Sequence, residues 1–244
     1  MKKFTLITGS SSGIGREIAI NLSKKNNIIL SGTKSSELTK TKKLCSNKNS
    51  IKIWKFDLQK INSLEKNLES FLKNNQIYIE NFIHSAGIVK VKSFKMFSLE
   101  ESIKLMNINF LSASIISKIM VKKINKKKPK NILFISSIAS HIGVNGHSYY
   151  SASKGALDSL MKSLAIEFAP HTRVNTLLPG TVKTKMNETI LEDRNFKKKM
   201  EAGYLLGLGK IKYITDYVDF ILSDKAKWLT GQKIIIDGGK TSHG

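Results

Sequence analysis

Tyr150 and Lys154 stand four positions apart in the segment YSASK. On a helix this spacing places both side chains on one face. An ammonium group beside a phenol favours the phenolate and lowers the tyrosine pKa from about 10 toward neutral pH. The pair therefore predicts a general acid/base, with Tyr150 as the group that transfers the proton. Ser137, 13 positions before the tyrosine, is expected at the carboxyl end of a strand, where its hydroxyl can hydrogen-bond a substrate carbonyl.

A glycine-rich turn lies near the start of the chain, in the segment TGSSSGIG that ends at Gly15. It follows an apolar run of strand length and precedes an amphipathic segment of helical period. Glycines permit a tight turn, and the free N–H groups at a helix N-terminus attract an anion. The turn predicts a pyrophosphate cradle, although such a turn alone also fits a purely structural role. The residues expected to line the cradle are Gly9, Ser11, Ser12, Gly13, Ile14 and Gly15.

These side chains must be positioned by strands and helices, and the pattern of apolar residues predicts a regular alternation of the two. The predicted strands are 4–8, 27–31, 51–56, 81–85, 131–136, 173–178 and 233–237. The predicted helices between them are 14–25, 38–44, 64–72, 109–124, 150–168 and 215–222. Strands that are apolar on both faces and joined by helices form a parallel sheet with helices on both sides. We therefore predict a doubly wound, Rossmann-type α/β fold of about seven strands, with residues 1–244 in one domain.

Two charged segments interrupt this pattern. Residues 122–130 are rich in lysine and close a predicted helix, which indicates a solvated turn. Residues 181–209 are long, polar and poorly patterned between two strong elements. In a compact domain such a segment predicts a mobile lid over the substrate.

Lysine dominates the composition. The 244 residues include 41 Lys and Arg against 18 Asp and Glu, a net charge of +23, and only Arg16, Arg173 and Arg194 are arginines. Joint enrichment of Lys, Asn and Ile indicates a bias at the codon level more than a phosphate-binding surface, for which arginine would be favoured. We therefore expect no specific nucleic-acid partner, although lysines promote non-specific adhesion to polyanions at low salt.

Several classes of protein are excluded by pattern. No apolar run approaches the ~20 residues of a membrane helix, so no membrane partner is expected. The interval before the first glycine is too short for the apolar core of a secretory signal. The only cysteine, Cys45, excludes an internal disulfide and a multi-cysteine metal site, and the histidines show no ligand spacing. We expect a cytoplasmic protein that binds no metal.

The spacing Gly-x3-Gly-x-Gly in the first turn resembles that of the short-chain dehydrogenase/reductase family. The other motifs of this family are a helix asparagine, a serine, Tyr-x3-Lys, Pro-Gly-x3-Thr and a C-terminal Asp-Gly-Gly. The match spans residues 4 to 239, and length and motif context look most like the bacterial 3-oxoacyl-[acyl-carrier-protein] reductases. The matching residues, in order, are Asn109, Ser137, Tyr150, Lys154, Pro179, Gly180, Thr184 and residues 237–239.

The resemblance implies an NAD(P)-dependent oxidoreductase with four catalytic residues, Asn109, Ser137, Tyr150 and Lys154. In the family the lysine also binds the nicotinamide ribose, and the asparagine holds a water that relays protons. His147 lies in the loop between Ser137 and Tyr150, so we expect it to contact the substrate. Further cofactor contacts are implied at Asp57, Leu58, Ala86, Gly87, Tyr150, Lys154, Pro179, Gly180, Val182 and Thr184.

Two positions bear on cofactor choice and on the sheet. No acid stands at the end of the second predicted strand, where a carboxylate would accept the ribose 2′-hydroxyl of NAD. Thr33 and Lys34 can instead bind the 2′-phosphate of NADP, but Ser12 stands where many NADP-using relatives have Arg or Lys. NADP(H) is favoured, and NAD(H) is the alternative. The family's Asn-Asn-Ala-Gly appears here as HSAG, so His84 and Ser85 replace the asparagines whose amides stabilise the central sheet.

The most specific hypothesis is a carbonyl reductase in which Tyr150 supplies the proton. A 3-oxoacyl group on an acyl carrier is the first substrate predicted, and a sugar, a steroid or a small polyol is the alternative. A non-enzymatic polyanion-binding protein is a distant third hypothesis, motivated only by the charge of +23. The resemblance also implies a homo-oligomer, a dimer or tetramer that pairs the predicted helices 109–124 and 150–168.

Overall fold

A computed structural model gives the structure of the protein and describes residues 1–183, 198 and 200–242. Within these residues, all strands lie side by side in one parallel sheet of order β3-β2-β1-β4-β5-β6-β7. The strands are β1 (Lys2–Thr8), β2 (Ile28–Gly32), β3 (Ile51–Lys55), β4 (Ile77–His84), β5 (Asn131–Ile135), β6 (Arg173–Pro179) and β7 (Lys233–Ile236). The seven predicted strands are all present, and β4 begins earlier than predicted.

The helices of the described residues alternate with the strands along most of the chain. They are α1 (Gly13–Leu22), α2 (Ser35–Leu44), α3 (Ile61–Asn75), α4 (Leu99–Met106), α5 (Ser112–Val121), α6 (Ser148–Glu167) and α7 (Ile211–Leu222). Single helical turns follow at 94–96, 123–125, 138–140 and 224–226. Most of the predicted lid, residues 184–197 and 199, lies outside the described part of the chain.

Two apolar cores, one on each face of the sheet, hold these layers together. On one face Phe82 and Phe134 pack with residues of α3, α5 and α6. On the other face Ile7 and Leu133 pack with residues of α1, α2 and α7. Full burial of each such side chain contributes about 1.5–3 kcal/mol. The predicted doubly wound fold with helices on both faces is confirmed.

The region predicted as one helix, 109–124, has a different form. It begins inside a π-turn at Asn107–Leu111, which directly follows α4, and continues as α5. Helix α4 was not predicted, although its start has a recognisable capping box. The Ser98 hydroxyl accepts from the Glu101 backbone N–H, and the Glu101 carboxylate accepts from the Ser98 N–H.

The parallel strands all end at the same edge of the sheet, and they place one row of side chains there. Thr8, His84, Phe134 and Thr176 lie next to one another in register on β1, β4, β5 and β6. The row lies on the face that α5 and α6 cover, at the last residue of β1 and β4 and inside β5 and β6. The described residues contain no helix long and apolar enough to cross a membrane.

Candidate active site

The glycine-rich turn between β1 and α1 has the geometry of an anion cradle. Gly9 and Gly13 adopt φ of 69° and 54°, a region that favours glycine. A Cβ on Gly9 would lie 2.7 Å from the Cα of Ala86, and one on Gly15 would lie 2.5 Å from the Gly9 carbonyl oxygen. Ser12 makes no side-chain cap, and α1 has no acid in its first turn. The N–H groups there are free to receive a pyrophosphate, so the turn fits a dinucleotide.

Arg16 braces this turn, a role that sequence reasoning missed. Its Nε donates to the Thr41 hydroxyl at 3.0 Å, and its Nη2 donates to the Ser11 carbonyl oxygen and, at 2.7 Å, to the Glu37 carboxylate. Lys40 and Arg16 together lower the pKa of Glu37 to about 2. Glu37, the first acid after β2 in the sequence, is therefore an ionised carboxylate paired with two cations.

The expected adenosine side of the cofactor site lies at the ends of β2 and β3. Thr33 and Lys34 are exposed just before α2. Beyond β3, Leu58 is buried, and the Asp57 carboxylate accepts from the Gln59 N–H at 3.0 Å. These residues reach the same sheet edge as the cradle, as predicted from their place in the sequence.

Ser137 and Tyr150 are brought together at the end of β5. Ser137 follows the strand, and its hydroxyl accepts from the Ala139 N–H at 3.2 Å. The same hydroxyl lies near enough to the Tyr150 phenol to affect its pKa. Burial raises the pKa of Tyr150, and Ser137 opposes the rise only in part. The Tyr150 pKa therefore lies above its ordinary value, whereas the spacing with Lys154 predicted a pKa below it.

Lys154 lies below the phenol on the same face of α6, as its spacing predicted. Its Nζ is 5.8 Å from the centre of the Tyr150 ring and donates to the Ile135 carbonyl oxygen at 2.8 Å. Only 4% of the side chain is exposed. Burial lowers the Lys154 pKa to about 8, against the attraction of Asp158.

Asn109 sits in the π-turn and faces the loop that follows β4. Its Oδ1 accepts from the Ile88 N–H at 2.9 Å, and its Nδ2 donates to the Ile88 carbonyl oxygen and to the Ser153 hydroxyl. A Cβ on Gly87 would lie 3.2 Å from the Lys154 Nζ and 3.6 Å from Oδ1 of Asn109. The missing side chain of Gly87 therefore keeps open the space where these two residues approach.

His84 takes over the connection between strands that the family's asparagine makes. Its Nδ1 hydrogen-bonds the Thr8 hydroxyl at 2.9 Å, and that hydroxyl also accepts from the Ala86 N–H. Its Nε2 has no hydrogen-bond partner among the described residues. Burial, and then the Lys154 charge, lower the His84 pKa to about 3. A neutral imidazole thus joins β1 to β4 behind the cradle.

The remaining predicted residues lie around this centre. The His147 ring is 6.0 Å from the Tyr150 ring, centre to centre, and its contact with the substrate stays a prediction. Pro179 ends β6, the Gly180 N–H donates to the Ile236 carbonyl oxygen at 2.9 Å, and Val182 is buried. Thr184 lies outside the described residues.

A cavity of about 350 Å³ opens beside Gly180 and Val182, between the end of β6 and α7. None of the four predicted catalytic residues lines it. The described residues hold no cluster of His, Cys, Asp or Glu that could bind a metal ion.

Comparison of the sequence with known proteins identifies relatives over nearly the whole chain. The sequence model of the family described as enoyl-(acyl carrier protein) reductase matches residues 9–241. A 3-oxoacyl-[acyl-carrier-protein] reductase of Buchnera aphidicola subsp. Baizongia pistaciae is 34% identical over 98% of this chain and 97% of its own. The L-rhamnose 1-dehydrogenase (NADP(+)) of Thermoplasma acidophilum is 32% identical over 97% of this chain and 95% of its own.

The fold comparison agrees over the whole length. The structure of a 4-hydroxyisoleucine dehydrogenase complexed with NADH superimposes with a TM-score of 0.92 at 25% identity, covering 99% of this chain and 100% of the other. The sheet order, the glycine turn, the Tyr-x3-Lys pair and the matches over nearly the whole chain lead to one conclusion. The chain belongs to the short-chain dehydrogenase/reductase family and is an NAD(P)-dependent oxidoreductase.

Proposed function

We propose that this chain reduces a substrate ketone to an alcohol, with Tyr150 as the proton donor. The proposal rests on one observation above all, the convergence of Ser137 and Tyr150 beside the buried Lys154 ammonium, whose Nζ is 5.8 Å from the centre of the Tyr150 ring. Two hydroxyl donors at one point form a site for a carbonyl oxygen, where negative charge develops as the carbonyl carbon is reduced.

The residues divide the reaction between them. A nicotinamide cofactor held at the cradle would supply the hydride that reduces the carbonyl carbon. Ser137 donates a hydrogen bond to the carbonyl oxygen, and Tyr150 transfers its proton to that oxygen, so the product is a neutral alcohol. Lys154 stabilises the phenolate left on Tyr150, and a water at Asn109, as the family resemblance implies, would connect the lysine to solvent for reprotonation. The raised pKa of Tyr150 suits this direction, because the phenol holds its proton until the oxygen becomes basic.

NADPH is the reductant that we favour. Lys34 and Thr33 are exposed at the end of β2, and the nearby Glu37 carboxylate is paired with Arg16 and Lys40. The local balance is positive, which suits a 2′-phosphate. A related L-rhamnose dehydrogenase is named for NADP(+), whereas a structural neighbour was solved with NADH, so NADH is the alternative reductant.

A 3-oxoacyl group on an acyl carrier is the substrate that we favour. Its support is the 34% identity to a 3-oxoacyl-[acyl-carrier-protein] reductase across both full lengths. The relationship to L-rhamnose 1-dehydrogenase, at 32% identity, supports a sugar as the second candidate. We further propose a cytoplasmic homo-oligomer, in agreement with a single cysteine and the family resemblance.

The test measures NADPH oxidation by the purified protein with a 3-oxoacyl carrier protein, and NADP⁺ reduction with L-rhamnose. We expect the carrier substrate to be turned over with the higher kcat/KM. Tyr150→Phe serves as the control that assigns any activity to this site. Faster oxidation of the sugar would replace the substrate proposal, and full activity of Tyr150→Phe would overturn the proposed mechanism.

A further inference from the structure

Asp158 is a buried acid next to the active site that the mechanism above does not use. It lies on α6 one turn after Lys154, a spacing that places both side chains on one face of the helix. Only 5% of Asp158 is exposed. A carboxylate is rarely buried to this extent without a charged or hydrogen-bonding partner, so its surroundings indicate a purpose.

One carboxylate oxygen of Asp158 is hydrogen-bonded to the turn that begins with Ser137. Its Oδ2 accepts from the Ser140 hydroxyl at 2.6 Å. The same hydroxyl lies 2.7 Å from the Ser137 carbonyl oxygen, which also accepts from the Ser140 N–H at 3.0 Å. Ser136 makes a second connection, because its hydroxyl donates to the Lys154 carbonyl oxygen at 3.3 Å. The Ser137 turn is therefore attached to α6 at the level of Lys154 and Asp158.

The charge of Asp158 acts on the Lys154 ammonium. Within the described part of the chain, the titratable groups that face Lys154 are His84 from β4, and Tyr150 and Asp158 from its own helix. His84 is neutral at physiological pH because its pKa is about 3, and Tyr150 is a neutral phenol. Asp158 is the group whose attraction opposes the loss of the Lys154 proton. Its Oδ1 has no hydrogen-bond partner among the described residues, so no donor there offsets its charge.

We propose that Asp158 is a positioning residue with two effects: its carboxylate keeps Lys154 protonated, and its bond to Ser140 fixes the Ser137 turn against α6. The inference rests on the proposed roles of Ser137 and Lys154. It goes beyond them because it explains how a third residue holds the Lys154 ammonium and the Ser137 hydroxyl in place relative to each other.

The two effects are separated by two variants and a matched control. Asp158→Asn removes the charge and retains a group that can hydrogen-bond Ser140. Ser140→Ala removes the bond and retains the charge. Glu167→Gln removes one negative charge from the exposed end of the same helix. The pH profile of kcat/KM for NADPH-dependent reduction of acetoacetyl-coenzyme A is measured for each.

We expect Asp158→Asn to move the alkaline limb of the profile to lower pH by about half a unit or more, because a nearby opposite charge favours the protonated amine. Ser140→Ala should lower kcat with the limb unmoved, and Glu167→Gln should change neither. An unmoved limb in Asp158→Asn would overturn the charge effect, and unchanged kcat in Ser140→Ala would overturn the positioning effect.

A second measurement is independent of the reaction. The titration of the Lys154 side chain, followed by ¹⁵N NMR and assigned with Lys154→Arg, should shift to lower pH in Asp158→Asn and stay in place in Glu167→Gln. If Asp158→Asn does not fold, Asp158→Ser replaces it in both measurements. Full activity of Ser137→Ala and Lys154→Met would refute the proposed function instead, and the NMR shift would then decide on the Asp158–Lys154 interaction alone.

Discussion

A tyrosine that donates a proton must hold that proton at the working pH. An ordinary tyrosine already does so at neutral pH, and burial raises the Tyr150 pKa further, against the opposing effect of Ser137. Reduction needs the neutral phenol, whereas oxidation of an alcohol needs the phenolate. The neutral phenol is the form that the proposed reduction uses, and the Lys154 cation acts once the proton has left.

Removal of the phenolic hydroxyl tests this role. Tyr150→Phe should fold and bind NADPH normally but lose at least ~10²-fold in kcat, the scale expected for loss of a general acid. The measurement is steady-state turnover together with cofactor titration by fluorescence. Turnover close to that of the unaltered protein would remove Tyr150 from the mechanism.

His84 predicts a specific pH dependence of stability. Its pKa is depressed from 6.5 to about 3 in the folded protein, so between these values the unfolded chain binds a proton that the folded chain does not. The contribution of His84 to the free energy of unfolding is fully present above pH 6.5. It is lost as the pH falls toward 3. Between pH 7 and pH 5 the loss amounts to about 2 kcal/mol of the free energy of unfolding.

The experiment compares His84→Asn with the unaltered protein by urea unfolding at both pH values. The variant should lack this part of the acid destabilisation, because an amide does not titrate. His171→Asn, at an exposed histidine, is the matched control and should retain it. The same pH dependence in His84→Asn would show that His84 is protonated in the folded protein.

At this scale the sequence predicted the residues that form motifs and missed those that act through tertiary contact. Tyr150, Lys154 and Ser137 have fixed spacings along the chain, and the structure brings them together. Arg16 and Asp158 have no such signature, because their partners Glu37 and Ser140 are set by how helices pack on the sheet.

The cradle at the start of α1 is built from the end of a strand, a turn and the N-terminus of a helix. Gly13→Val should weaken NADPH binding by at least about tenfold, or ~1.4 kcal/mol. The reason is twofold: a branched residue is strained at φ 54°, and its methyl groups occupy the space of the approaching phosphates. Affinity is measured by fluorescence titration.

The control for this variant is Gly155→Ala in α6, where an added Cβ meets nothing within 4 Å. It should bind NADPH with unchanged affinity and gain slightly in stability, since alanine favours helix more than glycine does. Equal affinities for all three proteins, with Gly13→Val folded, would refute the phosphate cradle.

Most elements were predictable because the strands are continuous apolar runs and most of the helices have a clear period. Helix α4 was missed because it is short, although Ser98 and Glu101 have the spacing of a capping box. The π-turn was beyond reach of the sequence pattern. It is tied to the bonds between Asn109 and the Ile88 backbone, a contact between distant segments that no local period expresses.

The charge of the whole molecule sets how an acidic partner approaches. Lys183 and Lys198 are exposed, and Lys197 and Lys199 belong to the predicted lid but lie outside the described residues. Replacing residues 197–199 with Gln should raise KM for an acidic carrier-bound substrate and leave a small uncharged ketone unaffected. Salt should mimic the change, because it screens the same field.

A matched control is available at the opposite end of the sheet. Lys126, Lys127 and Lys128 are exposed ahead of β5, and their replacement with Gln removes the same charge far from the strand ends that form the site. This triple variant should leave both KM values unchanged. An equal rise from both triples would assign the effect to net charge, and no rise from either would reject carrier docking at the lid.

Assembly is the other property of the whole molecule that the family resemblance predicts. Light scattering at micromolar concentration should give the mass of a dimer or a tetramer of the 27.3 kDa chain. A single species at the mass of one chain would contradict the proposed homo-oligomer.

The π-turn at Asn107–Leu111 gives this part of the chain a dependence on residue count. A π-turn contains one residue more than an α-turn, and one residue corresponds to about 100° of rotation about the helix axis. The extra residue therefore sets the rotation, about the helix axis, of the buried face of α5 relative to that of α4. This rotation is the phase between the two helices. Substitutions within the turn conserve this phase, whereas loss or gain of a single residue does not. The length of the segment that holds Asn109 is thus more tightly constrained than most of its side chains.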